Sequence, residues 1–130
     1  MAKIIISRVK EFLAKKEKSE LYLKQRERTK IISDLKSLDM IWSKYKLDRV
    51  YLYGSFADMT FYKNSDIDLA IEPDVSFEDQ LKLFYEVNKH FKREVEIRLL
   101  KELPFCAKIK GEGILIYEGK NRNTQKRIRT

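Results

Sequence analysis

Three groups of residues in this chain have types and spacings that could do chemistry. Gly54-Ser55 follows a short apolar run, Asp66-Ile67-Asp68 comes after ten intervening residues, and Glu94 and Glu96 alternate with Val95 and Ile97 further on. A glycine at the end of a strand lets the backbone turn through conformations closed to residues with a Cβ. The next residue can then open a short helix whose free N–H groups face an anion. The Ser55 hydroxyl would add one donor. On a strand, Asp66 and Asp68 share a face about 6.5 Å apart along the chain, while Ile67 and Leu69 point the other way. Paired carboxylates of this kind suit Mg²⁺, a hard cation that takes oxygen ligands and leaves room for phosphates. Holding two such ions about 4 Å apart needs a third carboxylate, which either Glu94 or Glu96 could supply. The competing reading is an ordinary strand-to-helix turn beside a solvated Asp-rich edge.

Those residues need elements to position them. Strands are predicted over 50–53, ending at Gly54-Ser55, over 67–71, closed by Pro73, over 95–99, and over 114–117, between Gly113 and Gly119. Residues 77–91 carry apolar side chains at helical spacing behind Ser76, a suitable N-cap, and 103–110 reads as a short helix with Pro104 in its first turn. No Gly or Pro precedes Gly54, so the first third is predicted helical. Ile5, Val9, Phe12 and Leu13 form one apolar stripe, and Ile31, Leu35, Leu38, Trp42 and Tyr45 another, each expected to be core or a subunit contact. The charged stretch 15–20 marks either a joint between two helices or a bend in one. The fold class is therefore α+β: a small mixed sheet backed by helices, with a helical amino-terminal extension over 1–46, a domain over 47–119 and a basic, fraying tail over 120–130.

Composition bounds the rest. The 130 residues suit one folded core, and 43% apolar residues, with seven Phe and seven Tyr, exclude a wholly disordered chain. Cys106 is the single cysteine, which excludes an intrachain disulfide and a cysteine-built zinc site. His90, in a basic helix end, reads as solvated, and Cys106 as packed. The only apolar run near the amino terminus is 4–6, too short for a signal peptide or a membrane span, so a soluble, cytoplasmic protein is expected. The net charge of +8 is uneven: residues 1–46 sum to +7, 47–118 to −4 and 119–130 to +5. The charge that would attract nucleic acid lies at the ends, and the candidate site lies in the acidic middle.

Gly54-Ser55, ten residues, then Asp66-Ile67-Asp68 resembles the signature of the minimal nucleotidyltransferases of the DNA polymerase β superfamily. Val95-Glu96-Ile97 matches the third carboxylate of that family, which selects Glu96 over Glu94, and the resemblance spans about 45–119. Three positions depart from it. Asp58-Met59 stands where many relatives have Arg-Gly, and Glu96 replaces the more usual Asp.

The resemblance implies a polymerase β-like nucleotidyltransferase fold and a metal-dependent enzyme. Asp66, Asp68 and Glu96 would hold two Mg²⁺ ions and act in catalysis. Gly54, Ser55 and Ser65 would contact the nucleotide, ATP or another NTP. Lys63 and Arg98 are further candidates for phosphate contact. Stand-alone relatives resemble antitoxins that transfer AMP to a tyrosine of a HEPN-type toxin, which makes such a protein the first expected partner and acceptor. Transfer to a small hydroxyl compound is the alternative within the same chemistry. A catalytically idle module gripping RNA or an acidic protein through the basic ends is the alternative outside it, and lacks a visible RNA-binding motif. A homodimer through an exposed helical stripe also remains open, and no membrane partner is expected.

Overall fold

The computed structural model describes residues 2–119. The predicted tail over 120–130 lies outside the described residues. The chain divides into two units, one up to Ile31 and one from Ile32 onward. The first is helical over its described residues, 2–31. Helix α1 spans Ala2–Lys36 and runs without a break through 15–20. Lys, Glu and Ala are strong helix formers, so a charged stretch lacking Gly and Pro is no reason for a helix to stop. Ile5, Val9, Phe12 and Leu13 stay about half exposed or more. Expected to be core or a subunit contact, that stripe is not buried within its own unit.

The second unit carries the sheet. The helical break absent at 15–20 occurs at Ser37, whose hydroxyl donates to Asp34 O at 2.6 Å. A Ser side chain that bonds a preceding carbonyl competes with the helix. Helix α2 follows over Asp39–Lys44. Its fully buried Trp42 donates from Nε1 to Leu35 O at 3.0 Å, so the indole satisfies a carbonyl at the break.

Strand β1 (Arg49–Tyr53) leads through the four-residue helix α3 (Ser55–Asp58) to β2 (Ile67–Glu72). Helix α4 (Phe77–Asn88) crosses to β3 (Val95–Leu99). A 3-10 turn at Leu100–Glu102 and helix α5 (Cys106–Glu112) then lead to β4 (Ile114–Glu118). The spatial order is β3-β2-β1-β4, with β2 and β3 parallel and the other pairs antiparallel, the mixed sheet that the sequence predicts.

Side chains alternate between two faces. Val50, Leu52, Ile67, Leu69, Ile71, Val95, Ile97 and Leu99 are buried on one, where α4 contributes Leu83 and Val87 to the core. On the other, Tyr51 and Ala70 pack with Leu100, Leu103 and Ile109, and Tyr53 and Cys106 flank that cluster.

Ser76 caps α4 as predicted, accepting from Asp79 N at 3.1 Å. The helix stops at Asn88, short of the predicted 91, because the Asn88 side chain is committed to the next strand. It accepts from Val95 N at 2.8 Å and donates to Val95 O at 3.0 Å, while Gln80 donates to Ile97 O at 2.9 Å. Helix α5 also begins later than predicted, at Cys106. Leu103 is extended (φ −85°, ψ 132°), as a residue before proline prefers to be, so Pro104 precedes the helix.

Candidate active site

Gly54 ends β1 with φ 73° and ψ −146°, a backbone state that side chains strongly disfavour. A Cβ there would lie 2.6 Å from Asp68 Oδ2, so the missing side chain is what admits the carboxylate to the turn. Ser55 then opens α3. The amides of Ala57 and Asp58 bond to Gly54 O at 3.0 and 3.2 Å, which leaves the Ser55 and Phe56 amides without a partner inside the turn.

The turn ends on Asp58 and Met59, which stand where many relatives have Arg-Gly. Met59 is left-handed (φ 67°, ψ 19°), the conformation that the usual glycine adopts freely. Asp58 accepts from both the Thr60 amide and the Thr60 hydroxyl, and the hydroxyl bond is the first cause holding its carboxyl below the usual range. Met59→Gly is expected to stabilise the protein by about 0.5–1 kcal/mol, since relief of the left-handed strain outweighs the added freedom of the unfolded chain. Urea unfolding measures it, and a loss of stability would mean that the Met59 side chain contributes more than its backbone costs.

The segment joining α3 to β2 is held from outside. Phe56 and Phe61, both buried, stack at 4.0 Å with 12° between their planes. The Arg93 guanidinium lies 5.0 and 5.7 Å from these two rings and donates to Tyr62 O at 3.0 Å and Ser65 O at 2.8 Å. Ser65 Oγ, on a predicted nucleotide contact, accepts from Tyr62 N at 2.7 Å and so also shapes the loop, while an accepting hydroxyl keeps its own proton to donate. Arg93 is a positioning residue that the sequence did not reveal, because it sits in a basic stretch with no spacing signal. Arg93→Met should cost about 1–3 kcal/mol, since two carbonyls lose a charged donor, and should speed amide hydrogen exchange between 61 and 66. Unchanged exchange there would show that the loop holds itself.

The carboxylates meet across the sheet. Tyr53 pairs with Asp68, and Asp68 with Glu96, which puts the three side chains in one row over β1, β2 and β3. Asp66 stands one residue before β2. Glu94 falls outside this row; it is exposed, precedes β3, and its carbonyl accepts from Ile67 N at 2.8 Å. Burial, then the charges of Glu96 and Asp66, push the Asp68 carboxyl up to about 6. Burial, and next the Asp68 charge, raise the Tyr53 phenol. Arg98 pairs with Glu96 Oε2 at 3.1 Å, whereas Lys63 is exposed in the loop.

Among the described residues no three acidic, imidazole or thiol groups already close into a metal cluster. The residues nevertheless fit a divalent cation. The half-buried Asp68 carboxylate faces the like charges of Glu96 and Asp66, opposed by Arg98 with the net effect still upward, and its two acidic neighbours offer the hard oxygen donors that Mg²⁺ favours.

Residues 36–122 match the family model of the polymerase beta nucleotidyltransferases, and the chain belongs to that family. Solved structures agree on the fold. A toxin–antitoxin complex with AMP-PNP aligns with TM-score 0.54 at 19% identity, covering 71% of this chain and 78% of that one. The MntA–HepT toxin–antitoxin complex aligns with TM-score 0.50 at 16% identity, over 71% and 76%. A candidate nucleotidyltransferase from Sulfolobus solfataricus aligns with TM-score 0.50 at 17% identity, over 75% and 88%. No curated protein sequence matches the chain significantly.

Proposed function

We propose that this protein is a cytoplasmic, magnesium-dependent adenylyltransferase that moves AMP from ATP to a tyrosine of a HEPN-type toxin, and so acts as its antitoxin. Residues 47–119 form the catalytic domain. The observation that carries the reading is the register that sets Glu96 beside Asp68, with Asp66 next to them and Gly54 opening the turn at Asp68 Oδ2. Family membership supports the reaction type. The toxin–antitoxin neighbours, one with AMP-PNP, support the partner and the nucleotide.

In this reading Asp66, Asp68 and Glu96 hold two Mg²⁺ ions, which supply positive charge to the triphosphate and make the acceptor hydroxyl a better nucleophile. The Ser55 and Phe56 amides and the Ser55 hydroxyl hold phosphate oxygens, and Gly54 keeps their approach open. The acceptor oxygen bonds to the α-phosphorus as the bond to the β-phosphate oxygen breaks. Pyrophosphate leaves with the electron pair, and the hydroxyl proton passes to Glu96. The site's work is alignment and charge balance.

Incubating the protein with Mg²⁺, labelled ATP and the product of the adjacent reading frame should place label on a tyrosine of that product. Asp66→Ala/Asp68→Ala should abolish the transfer. Pyrophosphate release to a small hydroxyl compound with no labelled protein would replace this acceptor.

A further inference from the structure

A cleft of about 390 Å³ lies between α3 and α5, with Tyr53, Gly54, Phe105 and Ile109 among the residues that line it. We propose that this cleft seats the acceptor, and that it takes a phenol ring, the side chain of a tyrosine presented by a partner protein. The inference rests on the adenylyl-transfer reading above and adds the place where the acceptor binds.

Position is the first argument. The cleft shares Tyr53 with the row of side chains that contains Asp68 and Glu96, and shares Gly54 with the turn that Asp68 Oδ2 enters. A group held there has the carboxylates at one end of it.

Chemistry is the second. The Tyr53 and Phe105 rings stand 6.1 Å apart, tilted by 58°, and Ile109 completes an apolar wall. Rings at such spacing attract a further ring by about 0.5–1.5 kcal/mol per pair beyond the area buried. The rim is polar, with Asp58, Lys108 and Glu112, and Lys108 is already drawn to Glu112 at 4.0 Å. Two carboxylates against one shared lysine repel a triphosphate, so the nucleotide's charged end belongs elsewhere on the turn. A neutral ring with a polar tip meets neither objection, and the rim can bond the peptide backbone on either side of it. The volume sits near the low end of small-molecule sites, about 300–1,000 Å³, which suits one side chain better than a whole antibiotic-sized acceptor.

The test uses the full chain, backbone NMR and two probes: N-acetyl-tyrosinamide, and AMP-PNP with Mg²⁺. The tyrosine probe should move the amides of Lys108, Ile109 and Gly113 at roughly millimolar concentration. AMP-PNP should move Ser55 and Phe56 and leave those three in place. Phe105→Ala, at a side chain 45% exposed, should weaken the tyrosine probe at least fivefold and change AMP-PNP affinity less than twofold, with Phe105→Tyr restoring the first. AMP-PNP shifts at Lys108 and Ile109 would make the cleft the nucleobase seat and overturn the proposal. Tyrosine-probe affinity unchanged by Phe105→Ala would also overturn it. If AMP-PNP binds nowhere on the wild-type chain, the adenylyl-transfer reading itself fails, and the acceptor role falls with it.

Discussion

Asp68→Asn should abolish transfer and, in the absence of metal, make the protein more stable. The carboxyl is half-buried, and its folded-state pKa of about 6 exceeds the ordinary value of 3.8. A carboxyl raised in this way binds its proton more tightly folded than unfolded. Its contribution is therefore favourable at low pH and is lost as the pH rises from about 4 through about 6. Above that window the wild-type protein holds a charge that Glu96 and Asp66 oppose. Asn removes the charge at nearly constant volume. With solvent screening allowed for, the gain at pH 8 is about 1 kcal/mol, or roughly 4 °C in midpoint. Activity should fall by a factor of a thousand or more, since no other side chain occupies that point of the row. Mg²⁺ should raise the wild-type midpoint and leave the variant's unmoved, with EDTA reversing the shift, because a bound ion stabilises only the state that holds it. A variant melting below the wild type in EDTA at pH 8 would show that Asp68 is favourably placed without metal.

Gly54→Ala should damage both stability and transfer. The new Cβ meets Asp68 Oδ2 at 2.6 Å, and the backbone state at φ 73° and ψ −146° costs an alanine about 1–3 kcal/mol by itself. Either the turn opens or Asp68 swings away, and both separate the carboxylate from the α3 amides. A misplacement of about 1 Å costs on the order of a hundredfold in rate, with a stability loss of about 2 kcal/mol by urea unfolding. Gly111→Ala is the natural control. A Cβ there meets nothing within 4 Å, and alanine in a helix favours stability by about 0.5–1 kcal/mol. Equal losses at the two glycines would sink the steric account.

The residues whose meaning is local were legible in the sequence. The turn at Gly54-Ser55, the alternation around Asp68, the Ser76 cap and the four strands all depend on neighbours a few positions away, and each is found close to where the pattern puts it. The choice of Glu96 over Glu94 needed the family signature, because alternation puts both on one face; the parallel register of β2 and β3 is what sets Glu96 opposite Asp68. What escaped depends on tertiary closure. Arg93 has no local pattern and acts through a loop about 30 residues earlier in the chain. The end of α4 is decided by the Asn88 side chain reaching the next strand. The stripe of Ile5, Val9, Phe12 and Leu13 is real as a pattern, yet periodicity shows that a helix has an apolar face without showing what covers it.

The amide clamp on β3 has a consequence for how the protein survives in a crowded cell. The strand that carries Glu96 forms the rim of the sheet, and a bare rim is a template on which foreign strands accumulate. Asn88 and Gln80 already occupy Val95 N, Val95 O and Ile97 O, so an incoming chain finds these groups taken. A carboxylate strand can thus stand at the open edge of the sheet without becoming a seed for aggregation.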